Sequence, residues 1–350
     1  VGCGLRLYVK DGVLQKVEGD PEHPVTHGRL CARCLALKEY IYHPDRLLHP
    51  IKRAREDRGK DKWEQITWDE AYAIIKEKTE EIKAKYGPEG IVAYIGTGRH
   101  STNLFNNFGQ LAFGTPNVCY SQSGWSCFGP RVAACNALLG VGFIEMDNGA
   151  GFALGMNDPS YVVPKCIVLW GKEPLKSNPD GFFGHSIIDM MKRGSEVVMV
   201  DPRMNWLATK AKYVLRLRPG SDVAVALGLL NVIISEDLYD HDFVEKWTYG
   251  WDELKARVLE YDLDWCAETS WVPKEQLVEV ARYVATAKPS SWGWGLAVDQ
   301  NRNGVQLAQC FVALAACTGS FDVPGGTSLG IPSDLVPNFV SSGVFHGAMS

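Results

Sequence analysis

"YVLRLRPGSDVAVALGLLNVII", residues 213–234, reads as a strand, a tight turn and a helix in succession. The strand-like run YVLRL (213–217) stops at Arg218-Pro219-Gly220, and an apolar helix opens at Ser221. The same alternation stands upstream: CIVLW (166–170), a helix over 181–193 with Gly194 as its stop, EVVMV (196–200), then a short helix. Further back, Thr67 and Glu70 form a capping box that opens a helix with apolar residues at 71, 74, 75 and 82, closed by Gly87-Pro88. IVAYI (91–95) follows as a buried strand ending at Gly96-Thr97-Gly98. Strands alternating with helices imply parallel sheets covered on both faces. The expected class is α/β, with two doubly wound, Rossmann-like units behind a small β-rich piece. That piece begins with a hairpin over 5–18 that turns at Asp11-Gly12. The expected boundaries are 1–55, 56–140, 141–330 and a remainder 331–350 returning towards the first unit.

Composition excludes several classes. The chain has 350 residues, a net charge of -5 and ten cysteines. No basic footprint suggests nucleic acid, and no apolar run reaches the roughly 18 residues that span a membrane. The cysteines are too sparse for a disulfide scaffold, so metal ligation or core packing is the first reading. The run AREDRGKDK (54–62) reads as a solvated loop. The ends, VGCGLRLYV and SSGVFHGAMS, read as cuts through a larger protein. Address signals would then lie upstream, leaving the cytoplasm open, or the periplasm if an upstream twin-arginine signal exists.

In parallel sheets, ligands bind where loops leave the carboxyl ends of the strands. Here those loops are WGKEPLKSNPD, DPRMNW and RPGSD. Asp201 and Asp222 are carboxylates at strand ends, able to hydrogen-bond a ribose or a guanine edge, while Gly171 and Gly220 admit phosphates close to the backbone. Asp222 could equally cap its helix, in which case Asn would substitute almost freely, and Asp201 could simply start a turn. Three such loops in order point to a nucleotide. GTG at 96–98 lacks the third glycine of a dinucleotide fingerprint.

The cysteines divide. Cys31 and Cys34 form a C-x-x-C, with Cys3 upstream; no second pair in the chain completes a zinc site, which leaves open a site completed by residues before Val1. Cys127 stands apart in SGWSCFGPR, a run of turn residues flanked by Trp125 and Phe128. Cys119, Cys135, Cys166, Cys266, Cys310 and Cys317 sit in apolar surroundings and read as core, as does Cys34.

Taken together, GCGLRLYVKDG, GRLC, HPDRLLHPIKR, WEQITWDEA, VDPR, RPGSDVAVALGLLNVII and GGTSL resemble the molybdopterin oxidoreductases of the dimethyl sulfoxide reductase superfamily. The resemblance covers essentially the whole chain and implies the first half of a catalytic subunit. It implies a four-iron, four-sulfur cluster held by Cys3 and Cys31, with two further ligands before Val1. It implies bis-molybdopterin guanine dinucleotide carrying molybdenum or tungsten, with Cys127 on the metal. Arg33 would be a cation between cluster and pterin. The dinucleotide contacts would be Gly171, Lys172, Glu173, Asp201, Arg203, Gly220 and Asp222, with Gln300 and Asn303 towards the other pterin. Glu173 and Asn205 depart from the Asn and Thr usual in the family.

Several stretches are similar to the branch of acetylene hydratases and reductive aromatic dehydroxylases. Phe128 stands where formate dehydrogenases carry His, which disfavours formate oxidation. The implied activity is oxygen-function transfer or reductive dehydroxylation of a small substrate. Electrons would arrive from an iron–sulfur partner subunit. Non-redox hydration, formate dehydrogenase or polysulfide–thiosulfate reductase activity, and a pterin-free electron-transfer scaffold are the alternatives.

Overall fold

The computed structural model describes residues 2–95, 102–120, 127–140, 143–179 and 182–330. Two compact units are present: Val1–Ala36 with Trp125–Pro332, and Leu37–Gly124 with Ser333–Ser350.

The larger unit is organised by a four-stranded parallel sheet in the order Tyr213–Leu215, Glu196–Val200, Cys166–Trp170, Ser290–Trp294. The chain steps outward from 166 through 196 to 213, then returns to the other side of the 166–170 strand. The order therefore reverses between 166–170 and 290–294, the place where doubly wound sheets form their ligand crevice.

Every residue of CIVLW is buried, because side chains alternate between two covered faces. Cys166, Val168 and Trp170 join one core with Val198, Val200 and Leu215, beneath the helices Asp222–Ser235, Lys274–Thr286 and Gly304–Cys317. Ile167 and Leu169 join another with Val197, Met199, Ile187 and Met190. The 222–235 helix has almost no exposed face, as expected for a helix apolar on all sides.

Three buried tryptophans surround Phe311, with Trp294 stacked on it at 4.6 Å and Trp292 edge-on at 5.7 Å. Each indole N–H has an acceptor: Asp222 for Trp170, Ser290 for Trp292 and the Ile144 carbonyl for Trp294, all at 2.9 Å. Satisfying these donors is what lets large aromatics sit fully buried.

The hairpin pairs Leu5–Lys10 with Val13–Gly19, and Asp11 and Gly12 take φ of 50° and 76°, the left-handed pair that a two-residue turn demands. Its following segment is tied to the loop after Gly151 by Leu154 N–H donating to the Pro24 carbonyl (2.9 Å) and to the helix Gly184–Lys192 by an Arg29–Asp189 ion pair.

In the smaller unit, Thr67 Oγ1 accepts from Glu70 N–H at 3.1 Å and opens the helix Trp68–Tyr86, and Gly87 at φ 79° ends it. Strands Ala93–Ile95 and Val118–Tyr120 pair in parallel across the helix Thr102–Phe113.

Local expectations differ from the structure at several points. The 93–95 strand is not fully buried: Tyr94 is 60% exposed, since a two-stranded sheet covers little. The helix expected over 181–193 is Gly184–Lys192. No helix follows Val200 within 201–210: Asp201 takes the Arg203 N–H and Asn205 takes the Ala208 N–H, so side chains close turns in place of a helical ladder. Residues 129–139, within the expected 56–140 unit, form a helix, Gly129–Leu139, that groups with the larger unit and packs on 304–317. Gly96, Thr97, Gly98, Trp125 and the expected return of 331–350 lie outside the described residues.

Candidate functional site

The predicted loops leave the same edge of the sheet. Gly171 ends the 166–170 strand at φ 56°, its N–H donating to the Val200 carbonyl at 2.8 Å. Gly295 N–H donates to the Trp170 carbonyl at 2.8 Å, and a Cβ at Gly295 would meet the Gly171 carbonyl oxygen at 1.9 Å. Only glycine allows the two loops at the order reversal to close on each other.

Three predicted residues from two adjacent loops form one ion-pair group. Asp201, buried, accepts from Arg203 Nε at 3.1 Å and from its terminal nitrogen at 3.0 Å, and Arg203 also lies 3.4 Å from Glu173. Holding the guanidinium between two carboxylates raises the Arg203 pKa, the Asp201 hydrogen bond being the main cause. Glu173, where the family usually has Asn, therefore supplies a second acid to the arginine. Lys172 is turned elsewhere: its ammonium meets Glu145 at 2.6 Å and lies 4.4 Å from the centre of the Phe183 ring.

Asp222 follows neither sequence reading alone. Ser221 is the N-cap of its helix, and its hydroxyl donates to the Arg218 carbonyl at 2.6 Å. The Asp222 carboxylate instead accepts from Trp170 Nε1 at 2.9 Å and from Asn301 Nδ2 at 3.1 Å. Burial pushes its pKa up, and the Trp170 and Asn301 donors oppose that rise. An ionised carboxylate has roughly four acceptor sites, so two occupied oxygens leave capacity for a ligand. Asn at this position would turn one acceptor into a donor facing a donor. Asp222→Asn is therefore expected to destabilise cofactor-free full-length protein by about 1–3 kcal/mol, read as a lower urea midpoint. An unchanged midpoint would show that the Trp170 and Asn301 bonds carry no stability.

Asn301 is a residue that sequence reasoning missed. It lies between the predicted Gln300 and Asn303, and only its hydrogen bond across 79 positions to Asp222 singles it out. Gln300 closes the short helix Leu296–Asp299, and Asn303 is the N-cap residue of Gly304–Cys317 without a side-chain cap bond. Gly220 takes φ 86°, and a Cβ there would meet only Asn301 Oδ1, at 3.8 Å, so the turn stands open above the strand ends.

Cys127 is half-buried, just before the N-terminus of the 129–139 helix. Its carbonyl accepts from an Arg131 terminal nitrogen at 3.0 Å. The Arg131 Nε donates to Asp299 at 2.6 Å, with side-chain exposures of 11% and 0%. Asp299→Ala would leave that guanidinium buried without its counter-ion, and should cost about 3–5 kcal/mol in a denaturation measurement. A loss below about 1 kcal/mol, the worth of an exposed pair, would contradict the burial argument.

Cys31 is buried at the start of the short helix Ala32–Leu35, where its carbonyl accepts from Cys34 N–H at 3.0 Å. Burial pushes its thiol up, but the N–H groups of Cys34 and Arg33 and the Arg33 side chain outweigh it and bring the pKa below the ordinary value. Cys34 is pushed up by burial and by its neighbours Cys31 and Cys3. The two predicted cluster cysteines thus share one neighbourhood with Cys34 and Arg33. Among the described residues, no three His, Cys, Asp or Glu side chains converge to hold a metal ion by themselves. An open cleft of 660 Å³ on the hairpin, lined by Arg6, Tyr8, Lys16, Glu18 and Leu30 among others, includes none of the predicted site residues.

Cys135, Cys166, Cys266 and Cys317 are buried core residues as expected, with burial pushing Cys266 and Cys317 to about 12. Cys310 is partly covered, and burial pushes it to about 11. Cys119 is not core: it is exposed on the two-stranded sheet.

Comparison with known proteins bears on this arrangement. Residues 46–348 match the model of the molybdopterin oxidoreductases and residues 1–43 that of the molybdopterin oxidoreductase Fe4S4 domain. The chain belongs to the molybdopterin oxidoreductase family. It is 34% identical to acetylene hydratase of Syntrophotalea acetylenica over 346 residues, 96% of this chain and 44% of that protein. It is 34% identical to dopamine dehydroxylase of Eggerthella lenta over 251 residues, 70% of this chain and 23% of that protein. The solved acetylene hydratase from Pelobacter acetylenicus superposes with a TM-score of 0.78 at 31% identity, covering 99% of this chain and 45% of that one. The chain therefore spans less than half the length of the acetylene hydratases it matches.

The molybdopterin oxidoreductase fold and its Fe4S4 domain indicate a pterin-bound metal and an iron–sulfur cluster. The residues present suit such a group. Asn205 Nδ2, in the loop that carries Asp201 and Arg203, is buried with no partner among the described residues, and Gly220 leaves room for a ligand against the backbone. A phosphate- and carbonyl-rich cofactor supplies the acceptors that such donors lack.

Proposed function

We propose that the full-length protein is the catalytic subunit of a molybdenum- or tungsten-dependent oxidoreductase that uses bis-molybdopterin guanine dinucleotide and a four-iron cluster. The observation that carries this reading is the Glu173–Arg203–Asp201 group beside Asp222 and the open Gly220 turn, at the carboxyl ends of three adjacent parallel strands. These side chains would hold the dinucleotide, with the acids taking base and ribose donors and Arg203 facing its acceptors, which Lys172 would join only on leaving Glu145. Gln300 and Asn303 would contact the other pterin. Cys127 would give the metal a soft, charged thiolate, and the Cys3–Cys31 neighbourhood would hold the cluster, with Arg33 as a fixed cation beside it.

The bound group would supply two-electron chemistry at the metal and one-electron transfer at the cluster. The protein would orient a small substrate against the metal. Similarity to dopamine dehydroxylase supports removal of an oxygen function, with electrons from an iron–sulfur partner subunit. Similarity to acetylene hydratase supports a second reading, hydration without net electron transfer.

Metal and pterin analysis of the full-length protein tests the proposal. Molybdenum or tungsten with about two pterins per metal atom is the expected outcome. Protein purified anaerobically with neither would overturn it in favour of an electron-transfer scaffold. Turnover with no electron donor present would select hydration over dehydroxylation.

A further inference from the structure

We propose that Arg131 is a positioning residue that locks the Cys127 turn to the loop carrying Gln300, and so sets how the Cys127 thiolate reaches the metal. The inference rests on the reading of Cys127 as metal ligand.

Each of the three guanidinium nitrogens donates a hydrogen bond. The Arg131 backbone N–H donates to Asp299 Oδ1 at 3.2 Å and Nε donates to Asp299 Oδ2 at 2.6 Å. One terminal nitrogen donates to the Trp294 carbonyl at 3.4 Å and the other to the Cys127 carbonyl at 3.0 Å. The Phe143 and Trp294 rings lie 5.0 and 5.5 Å from the guanidinium carbon. One planar group thus joins the turn before the 129–139 helix, the end of the 290–294 strand and the residue preceding Gln300.

The simpler explanation is a staple between helix and sheet. Well-packed apolar residues serve that purpose at least as well, since desolvating two charges consumes much of their attraction. What an apolar pair cannot supply is a directed donor to the Cys127 carbonyl. The guanidinium fork points its nitrogens in fixed directions, so a bond to Asp299 on one side orients the bond to Cys127 on another. Lysine separates the two roles. It keeps a charge for Asp299, but its three N–H donors radiate from one nitrogen on a flexible stem, so it lacks the spread, fixed fork that aims separate nitrogens at Asp299 and at Cys127.

The test uses anaerobically prepared full-length holoenzyme as parent, Arg131→Lys, Asp299→Asn and Cys127→Ala. Metal–sulfur coordination is read by X-ray absorption and iodoacetamide labelling of Cys127 by mass spectrometry. Arg131→Lys is expected to retain metal and pterin. Its Cys127 should label about tenfold faster than in the parent, because a loosened thiolate spends time off the metal and exposed. The metal–sulfur shell should become heterogeneous. Asp299→Asn should move both readouts in the same direction, and decides the matter if Arg131→Lys does not fold. Parent-like labelling and coordination in a folded variant overturn the proposal, as does loss of fold in both, which assigns the pair to stability alone. Cys127→Ala distinguishes the two levels. If it keeps every metal–sulfur bond, the ligand reading fails and this proposal with it. If it loses one while Arg131→Lys behaves as parent, only the positioning role fails.

Discussion

Cys127→Ala is expected to abolish turnover of the full-length enzyme while leaving its fold and pterin content nearly intact. Cys127 lies half-buried before the helix, and the bond that anchors its turn runs from Arg131 to the Cys127 backbone carbonyl, which alanine retains. The stability cost should therefore be small, about 1 kcal/mol. The proposed dinucleotide contacts lie on other loops and are untouched. What disappears is a thiolate donor, and with it one charge at the proposed metal, so potential and substrate geometry should both change. Measured turnover should fall to background with metal still bound. Retained turnover, or unchanged metal–sulfur coordination by X-ray absorption, would remove Cys127 from the site.

Cys31→Ala should eliminate the four-iron signal of the reduced full-length protein. Cluster ligands must be thiolates, and Cys31 is prepared for that state: two backbone N–H groups and Arg33 lower its pKa against the opposing effect of burial. Cys34 lies beside it and is the described thiol placed to substitute. A signal that persists in Cys31→Ala but vanishes in Cys31→Ala/Cys34→Ala would reveal that exchange and reassign the ligand. A signal that survives in both would exclude this segment from cluster binding. Arg33→Gln should keep the cluster and shift its potential to a more negative value, because a nearby positive charge favours the reduced state.

Much of the α/β architecture was legible in the chain because its signals are local. CIVLW and the VVMV of 197–200 are continuous apolar stretches bounded by glycine, charge or proline, and a strand covered on both faces needs just that, while the run from 213 is shortened to Tyr213–Leu215 at the sheet edge. Thr67, Asp11 with Gly12, and Gly87 likewise announce their turn or cap through their own side chains or backbone freedom, and the structure places them as read, although the Glu70 carboxylate of the expected capping box pairs with Lys52. The candidate loops were legible too, since their glycines and acids follow directly on those strands. Asp201 and Arg203, two positions apart, lie together for the same reason.

What the sequence could not contain is which side chain would be spent on which distant partner. Asp222 looked like either a helix cap or a base acceptor, and the fold engages it with Trp170 and Asn301, 52 and 79 positions away. Arg131 drew no reading of its own from the sequence, and the 290–299 segment engages it through Asp299 and the Trp294 carbonyl. That contact also decided that the 129–139 helix joins the larger unit, although its place in the chain suggested the smaller one. Cys119 and Tyr94 carry apolar patterning yet remain exposed, because burial depends on how many strands a sheet assembles. Periodicity, caps and turns are properties of a few consecutive residues and were set by sequence alone. Burial, long-range ion pairs and the use of a buried donor are settled only when remote segments meet, because desolvation makes each such group dependent on the partner it finds.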